Sequence, residues 1–177
     1  MTGWSDLQHW LFADSWNAAI GRYRSRYAFR GVSDAGYRLE TTLNRLGGCY
    51  HTLERHMLRA FRKYAHRNLV QGDSIWHWLS VAQHYGLPTR LLDWTYSPMV
   101  AMHFATANIE KIGRDGAIWA LNYEKAHRLL PDTLKAVLEG EGANVFTVQM
   151  LAEALETLAA MDAMTDGPFV LFFEPPS

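Results

Sequence analysis

Residues 82–105 read AQHYGLPTRLLDWTYSPMVAMHFA, and the division of this stretch decides the fold. A helical pattern lies on either side of a short polar connection. Gly86 and Pro88 break the first helix, because Gly favours a left-handed stop and Pro cannot continue a helix. Ser97 and Pro98 start the second, with Ser97 as cap and Pro98 at the first helical position. Between them His84, Thr89, Arg90, Asp93, Thr95 and Ser97 are interleaved with Leu91, Leu92 and Trp94. Polar side chains this densely set among apolar ones must be paired or they destabilise the fold. The block is therefore either a structural network or a site.

Outward from this block, the totals describe a globular chain. The 177 residues suit one domain with a single proper core. Hydrophobic residues make up 49% and charged residues 20%, which excludes disorder. Aromatic content is 13%, with 7 Trp, so an aromatic core is expected. A net charge of −1 argues against a general nucleic-acid binder. The single cysteine, Cys49, excludes an internal disulfide and a multi-cysteine zinc site, and it points to the cytoplasm. No apolar run approaches a membrane span. Asp6, His9 and Asp14 interrupt anything resembling a secretory signal.

Along the chain, Ser5 and Gln8 have the spacing of a capping box, and Leu7, Trp10 and Leu11 share a face, predicting a helix to about residue 12. Residues 24–32 read as a strand with Tyr27 and Phe29 on one face, followed by a turn over 33–36. Residues 52–68 read as a helix with Leu53, Met57, Phe61 and Tyr64 as its apolar stripe. A loop over 71–74 leads to a helix over 75–85, in which Trp76, Leu79 and Gln83 step along one side. The helix after the polar loop runs over 98–109, and residues 116–122 form an apolar strand of central type. Residues 131–139 and 147–161 follow as helices, 165–167 as a turn and 168–174 as a last strand. Helices and strands without regular alternation predict an α+β fold, a mixed or antiparallel central sheet packed with helices.

Several of these segments carry a resemblance. Tyr27-Ala28-Phe29-Arg30-Gly31, Tyr37-Arg38-Leu39, Leu43-Asn44-Arg45, the run from Gln83 to Thr95, and residues 115–121 follow one another as in the FRG domain family, named for its Phe-Arg-Gly triplet. The resemblance spans about residues 20–122 and weakens after that. Sequences of this family run on past the last strand into a segment with no counterpart here, which implies one domain over 1–177 truncated at its C-terminal end. On that reading residues 168–174 are buried beside 117–121, with a second copy filling the open edge and making a homo-oligomer.

The element order also resembles ADP-ribosyltransferases of the Arg–Ser–Glu type. That resemblance implies NAD as substrate, with Arg30 gripping its phosphate or ribose. Asp93-Trp94-Thr95 would stand where those enzymes carry their Ser-Thr-Ser motif, and residues 101–105 in the helix that follows. The sequence departs from it at Asp93, which replaces a Ser, and at the catalytic Glu, for which Glu174 just before Pro175 is a poor match.

Read for chemistry, Arg30 with Gly31 offers a planar fork beside a point of close backbone approach, suited to phosphate. The plain alternative is a structural pair with Asp93 or Glu40. Thr89, Arg90, Thr95 and Ser97 complete the candidate ligand-binding set. His84 oriented by Asp93 is the candidate general base, against the commoner structural pair. Arg90 beside Asp93 has the plain reading of a buried ion pair. The 8 His residues show no metal-binding spacing, so no metal is expected. Arg55, Arg59, Arg62, Lys63, His66 and Arg67 form a cationic stripe on helix 52–68. That stripe supports a competing reading, a non-catalytic module for an acidic protein or nucleic acid, with nucleic acid disfavoured by the near-neutral total. The first reading is a soluble domain that binds a nucleotide or other phosphorylated ligand near Arg30, with no membrane partner.

Overall fold

The structure is a computed structural model that describes residues 3–13, 15–65, 70, 73–164 and 167–175, the His51 side chain excepted. The expectations for His66, Arg67, Gln71, Gly72, Thr165 and Asp166 lie outside the described residues. In chain order the first elements are α1 (Trp4–Phe12), β1 (Trp16–Asn17), β2 (Arg22–Tyr23), β3 (Tyr27–Val32), α2 (Thr42–Leu46), α3 (Tyr50–Tyr64) and α4 (Ile75–His84). There follow α5 (Pro98–Thr106), a 3₁₀ turn (Ile109–Lys111), β4 (Ala117–Asn122), α6 (Tyr123–His127), α7 (Asp132–Gly140), β5 (Phe146–Thr147), α8 (Val148–Ala154), α9 (Leu158–Asp162) and β6 (Phe173–Glu174). The α+β class holds. The described strands pair as three two-stranded sheets, β1–β2 and β3–β4 antiparallel and β5–β6 parallel.

The chain divides into two compact units, one of residues Met1–Arg38 and Asp93–Lys125, the other of Leu39–Leu92 and Ala126–Ser177. In the first unit β3 lies against β4, with Tyr27 opposite Asn122 and Val32 opposite Ala117. Leu11, Phe29 and Ala101 form its buried centre, and Leu7, Phe12, Tyr27, Ile118 and Ala120 pack around them. Helix α5 lies very close to this ladder. A Cβ on Gly31 would sit 1.7 Å from the Ala101 carbonyl oxygen, and one on Gly116 would sit 2.7 Å from that of Ala105. Gly31, Gly116, Ala101 and Ala105 are thus small because helix backbone meets strand backbone there.

In the second unit the core gathers Trp76, Leu79, Leu134, Phe146 and Leu151, each almost wholly buried. Helix α3 enters with a face that matches the expected one at Phe61, which packs on the core, but not at its ends. Leu53 and Tyr64 are 41% and 82% exposed, while Glu54 and Leu58 are buried. A hydrophobicity pattern cannot choose a face whose key residue is a carboxylate. The expected helix over 147–161 is two helices. The Leu155 carbonyl accepts the Trp76 indole N–H at 2.8 Å, Leu155 leaves helical geometry, and Thr157 caps α9 by accepting from Ala160.

Other differences are local. Helix α1 starts at Trp4 after Gly3, so Ser5 lies inside it and caps nothing. Strand β3 begins at Tyr27, and Arg22–Tyr23 form a separate hairpin with Trp16–Asn17. Helix α5 stops at Thr106, short of 109. Strand β4 has one strand neighbour among the described residues and Trp119 is 41% exposed, so it is not central. The last strand shrinks to Phe173–Glu174, which pairs with Phe146–Thr147 and not with 117–121. Phe169, Leu171 and Phe173 pack on the core of their own unit. Their apolar side chains are thus covered by their own unit.

His127 holds that last segment. Its Nδ1–H donates to the Asn144 carbonyl at 2.9 Å, and its Nε2 accepts the Phe172 N–H at 2.9 Å. A carbonyl only accepts and an N–H only donates, so the ring is the neutral Nδ1–H tautomer. Burial lowers its pKa from the ordinary 6.5, with the Asn144 bond acting the other way. The unfolded chain therefore binds the proton more readily than the folded one. The His127 contribution is complete above about pH 6.5 and is lost as pH falls from there through the depressed folded value. Chemical denaturation at pH 7.5 and pH 5.5 is expected to show lower stability at the acid end, with a smaller difference in His127→Asn. Equal pH dependence in the two proteins would contradict this.

Candidate functional site

In the first unit the hydrogen-bond alternation of β3 sets two distinct faces. Phe29 exchanges both backbone hydrogen bonds with Thr95, at 2.7 and 2.8 Å. Its even-numbered neighbours therefore turn their backbone groups to β4, in line with the Tyr123 N–H donating to Arg26 at 3.2 Å. Arg30 then stands at a hydrogen-bonded position directly opposite Trp119. Opposed residues share a face, so Arg30 and Trp119 project together on the face away from Phe29, Gly31 and α5.

The second half of the polar loop closes against this strand. Arg30 Nη1 donates to the Asp93 carbonyl at 2.6 Å, so the two residues do meet, through the Asp93 backbone. Thr95 Oγ1 accepts the Ser97 N–H at 3.1 Å, and Ser97 Oγ accepts the Val100 N–H at 3.4 Å. Ser97 is the cap and Pro98 the first helical residue of α5, as the sequence predicts. The structure thus brings Arg30 to Asp93, and Thr95 to Ser97 at the start of α5, while Gly31 lies farther along that helix, against Ala101 and Ala105.

The first half of the loop belongs to the second unit. Thr89 is fully buried; its hydroxyl donates to Gln83 Oε1 and accepts the Leu91 N–H at 3.3 Å. Arg90 binds Glu54 twice, through its backbone N–H to Oε1 at 2.9 Å and through Nε to Oε2 at 2.6 Å. Its Nη2 lies 2.6 Å from the same Oε2 without making a hydrogen bond. Nη1 donates to Asp162 Oδ1 at 2.7 Å, and Asp162 Oδ2 accepts from Arg55 at 2.6 Å. Burial works against the Arg90 charge, but the hydrogen bonds and charges of Asp162 and Glu54 outweigh it and raise its pKa. Thr89 and Arg90 thus anchor the loop to α3, α4 and α9. His84 is exposed at the end of α4, with its ring edge-on to Tyr85 at 5.6 Å.

Three important residues escaped the sequence reading. Glu54 sits one step round the helix from the apolar stripe assigned to α3. Asp162 is distant from the loop in sequence and has no local signal. Trp119 is one of 7 Trp, and only the strand register shows which face it takes. The cationic stripe is in part internal. Arg55 is bound by Asp162, and Arg62 pairs with Asp73 and lies 5.5 Å over the Trp78 ring.

Removing Arg90 leaves the wholly buried Glu54 carboxylate without its partner. Arg90→Ala is expected to destabilise the chain by about 3–5 kcal/mol. Arg90→Lys recovers little, since one ammonium cannot span both carboxylates. Thermal or urea denaturation measures both, and a parent-like Arg90→Ala curve would show the network to be dispensable.

A family model described as the FRG domain matches residues 25–113, just over half of the 177 residues. No curated protein and no solved structure matches the chain significantly. The matched stretch runs from Ser25, just before β3, through both halves of the polar loop to Gly113, just past the 3₁₀ turn. On this match the chain belongs to the FRG domain family.

Proposed function

We propose that this FRG domain binds a phosphorylated small ligand, nucleotides included, on the Arg30 face of the β3–β4 ladder. The observation that supports it most is the Arg30–Asp93 carbonyl bond of 2.6 Å. It holds one edge of a guanidinium on the ladder face opposite α5. An arginine fork in a set pose suits the geometry of phosphate oxygens.

Binding fits this arrangement better than catalysis does. The Thr95 and Ser97 oxygens accept backbone N–H groups that shape the loop. ADP-ribosyl transfer from NAD is the catalytic form of the proposal, and NAD belongs among the ligands tested. The competing reading, a docking surface on α3, is weakened by the ion pairs that already engage Arg55 and Arg62.

The exposed Asp93 carboxylate opposes an anion nearby, which gives the proposal a signed test. Calorimetric titration of the whole chain with pyrophosphate and ADP is expected to show binding that Arg30→Gln weakens by about 1.5–3 kcal/mol, the range of a hydrogen bond to a charged group. Asp93→Asn keeps the carbonyl that orients Arg30 and removes the charge, so it strengthens binding. Absence of binding to either anion, or equal affinity in Arg30→Gln, would overturn the proposal.

A further inference from the structure

Six residues of the β3–β4 ladder share the face that carries Arg30: Ala28, Arg30, Val32, Ala117, Trp119 and Leu121. Arg30 is the one charged side chain among these six, and Trp119 is the one aromatic. They are directly opposed, so their Cβ atoms are about 5 Å apart. Trp119 is 41% exposed, while Ile118 and Ala120 on either side of it pack on the core around Phe29. The ladder therefore places a large, partly open indole directly opposite the guanidinium that the Asp93 carbonyl holds.

We infer that Trp119 is the surface on which the ring of the ligand stacks, so that the ligand of the Arg30 face is a nucleotide and not a bare phosphate or sugar phosphate. The inference rests on the phosphate-binding reading of Arg30 and adds the chemistry of the rest of the ligand. A nucleotide joins an anion to a flat base through one sugar, and the opposed pair offers a cation and an aromatic plane at adjacent positions. Stacking on an aromatic side chain is tolerant of base identity, so a preference for nucleotides as a class is expected.

The whole chain is titrated with ADP, NAD, ribose 5-phosphate and pyrophosphate, and the series is repeated with Trp119→Leu and Trp119→Phe. ADP is expected to bind roughly 10- to 100-fold more tightly than pyrophosphate, the factor that stacking of one base supplies. Trp119→Leu should erase that advantage, and Trp119→Phe, which keeps a smaller ring, should retain part of it. Circular dichroism melting of each variant separates loss of stacking from loss of fold, and Trp119→Phe carries the test if Trp119→Leu does not fold. Equal affinity of the parent for ADP and pyrophosphate overturns this inference and leaves the Arg30 reading standing. A loss in the folded variants that is the same for ADP and pyrophosphate overturns it too. Failure of every anion to bind overturns both.

Discussion

The close approach of helix α5 to strand β3 is the constraint on which the first unit depends. The Ala101 carbonyl oxygen lies where the side chain of any residue but glycine at position 31 would begin. A helix lying that close covers one face of a two-stranded ladder and leaves the other outside its reach. Because side chains alternate along a strand, the same contact that buries Phe29 sends Arg30 and Trp119 the other way. The Phe-Arg-Gly triplet thus has a physical reading. Phe29 fills the core, Gly31 admits the helix, and Arg30 between them is directed to the opposite face.

The polar loop divides its labour along its length. Its first half is a fastening. Thr89 and Arg90 are bound inside the second unit, and the Glu54–Arg90–Asp162–Arg55 chain of charges alternates in sign so that each buried group is compensated. Such a network adds little net stability over an apolar equivalent but specifies one loop conformation, and breaking it is costly. The second half, Asp93 to Ser97, is pinned to β3 through Phe29 and Arg30 and launches α5. Position within one continuous motif is therefore a poor guide to role. Thr89 and Arg90 serve the fold, and the proposed ligand contact lies on a strand more than 50 residues earlier.

Much of this arrangement is legible in the sequence where the cause is local. The left-handed Gly86, the Ser97 cap, the Pro98 start and Pro131 ahead of α7 all follow from single-residue chemistry, and all stand in the structure. The meeting of Arg30 and Asp93 follows from two element ends flanked by breaking residues. The rest depends on contacts far apart in the chain. The buried Glu54 carboxylate is matched by Arg90, and the break in helix 147–161 coincides with the Trp76 indole bonding the Leu155 carbonyl. The run at 168–174 reads as a sheet strand by composition, yet its backbone bonds at Phe172 go to His127 and Phe146. Trp119 becomes informative only once the register places it opposite Arg30.

The central claim is that the ladder face opposite α5 is the working surface of this domain. Chemical-shift mapping of the whole isotope-labelled chain with saturating ADP tests it most directly. The account predicts that the Arg30 guanidinium and the Trp119 indole N–H shift together, while Phe29, Ile118 and Ala120 on the covered face stay near their starting positions. Shifts centred on Arg59 and its neighbours along α3, with Arg30 and Trp119 unmoved, would contradict it.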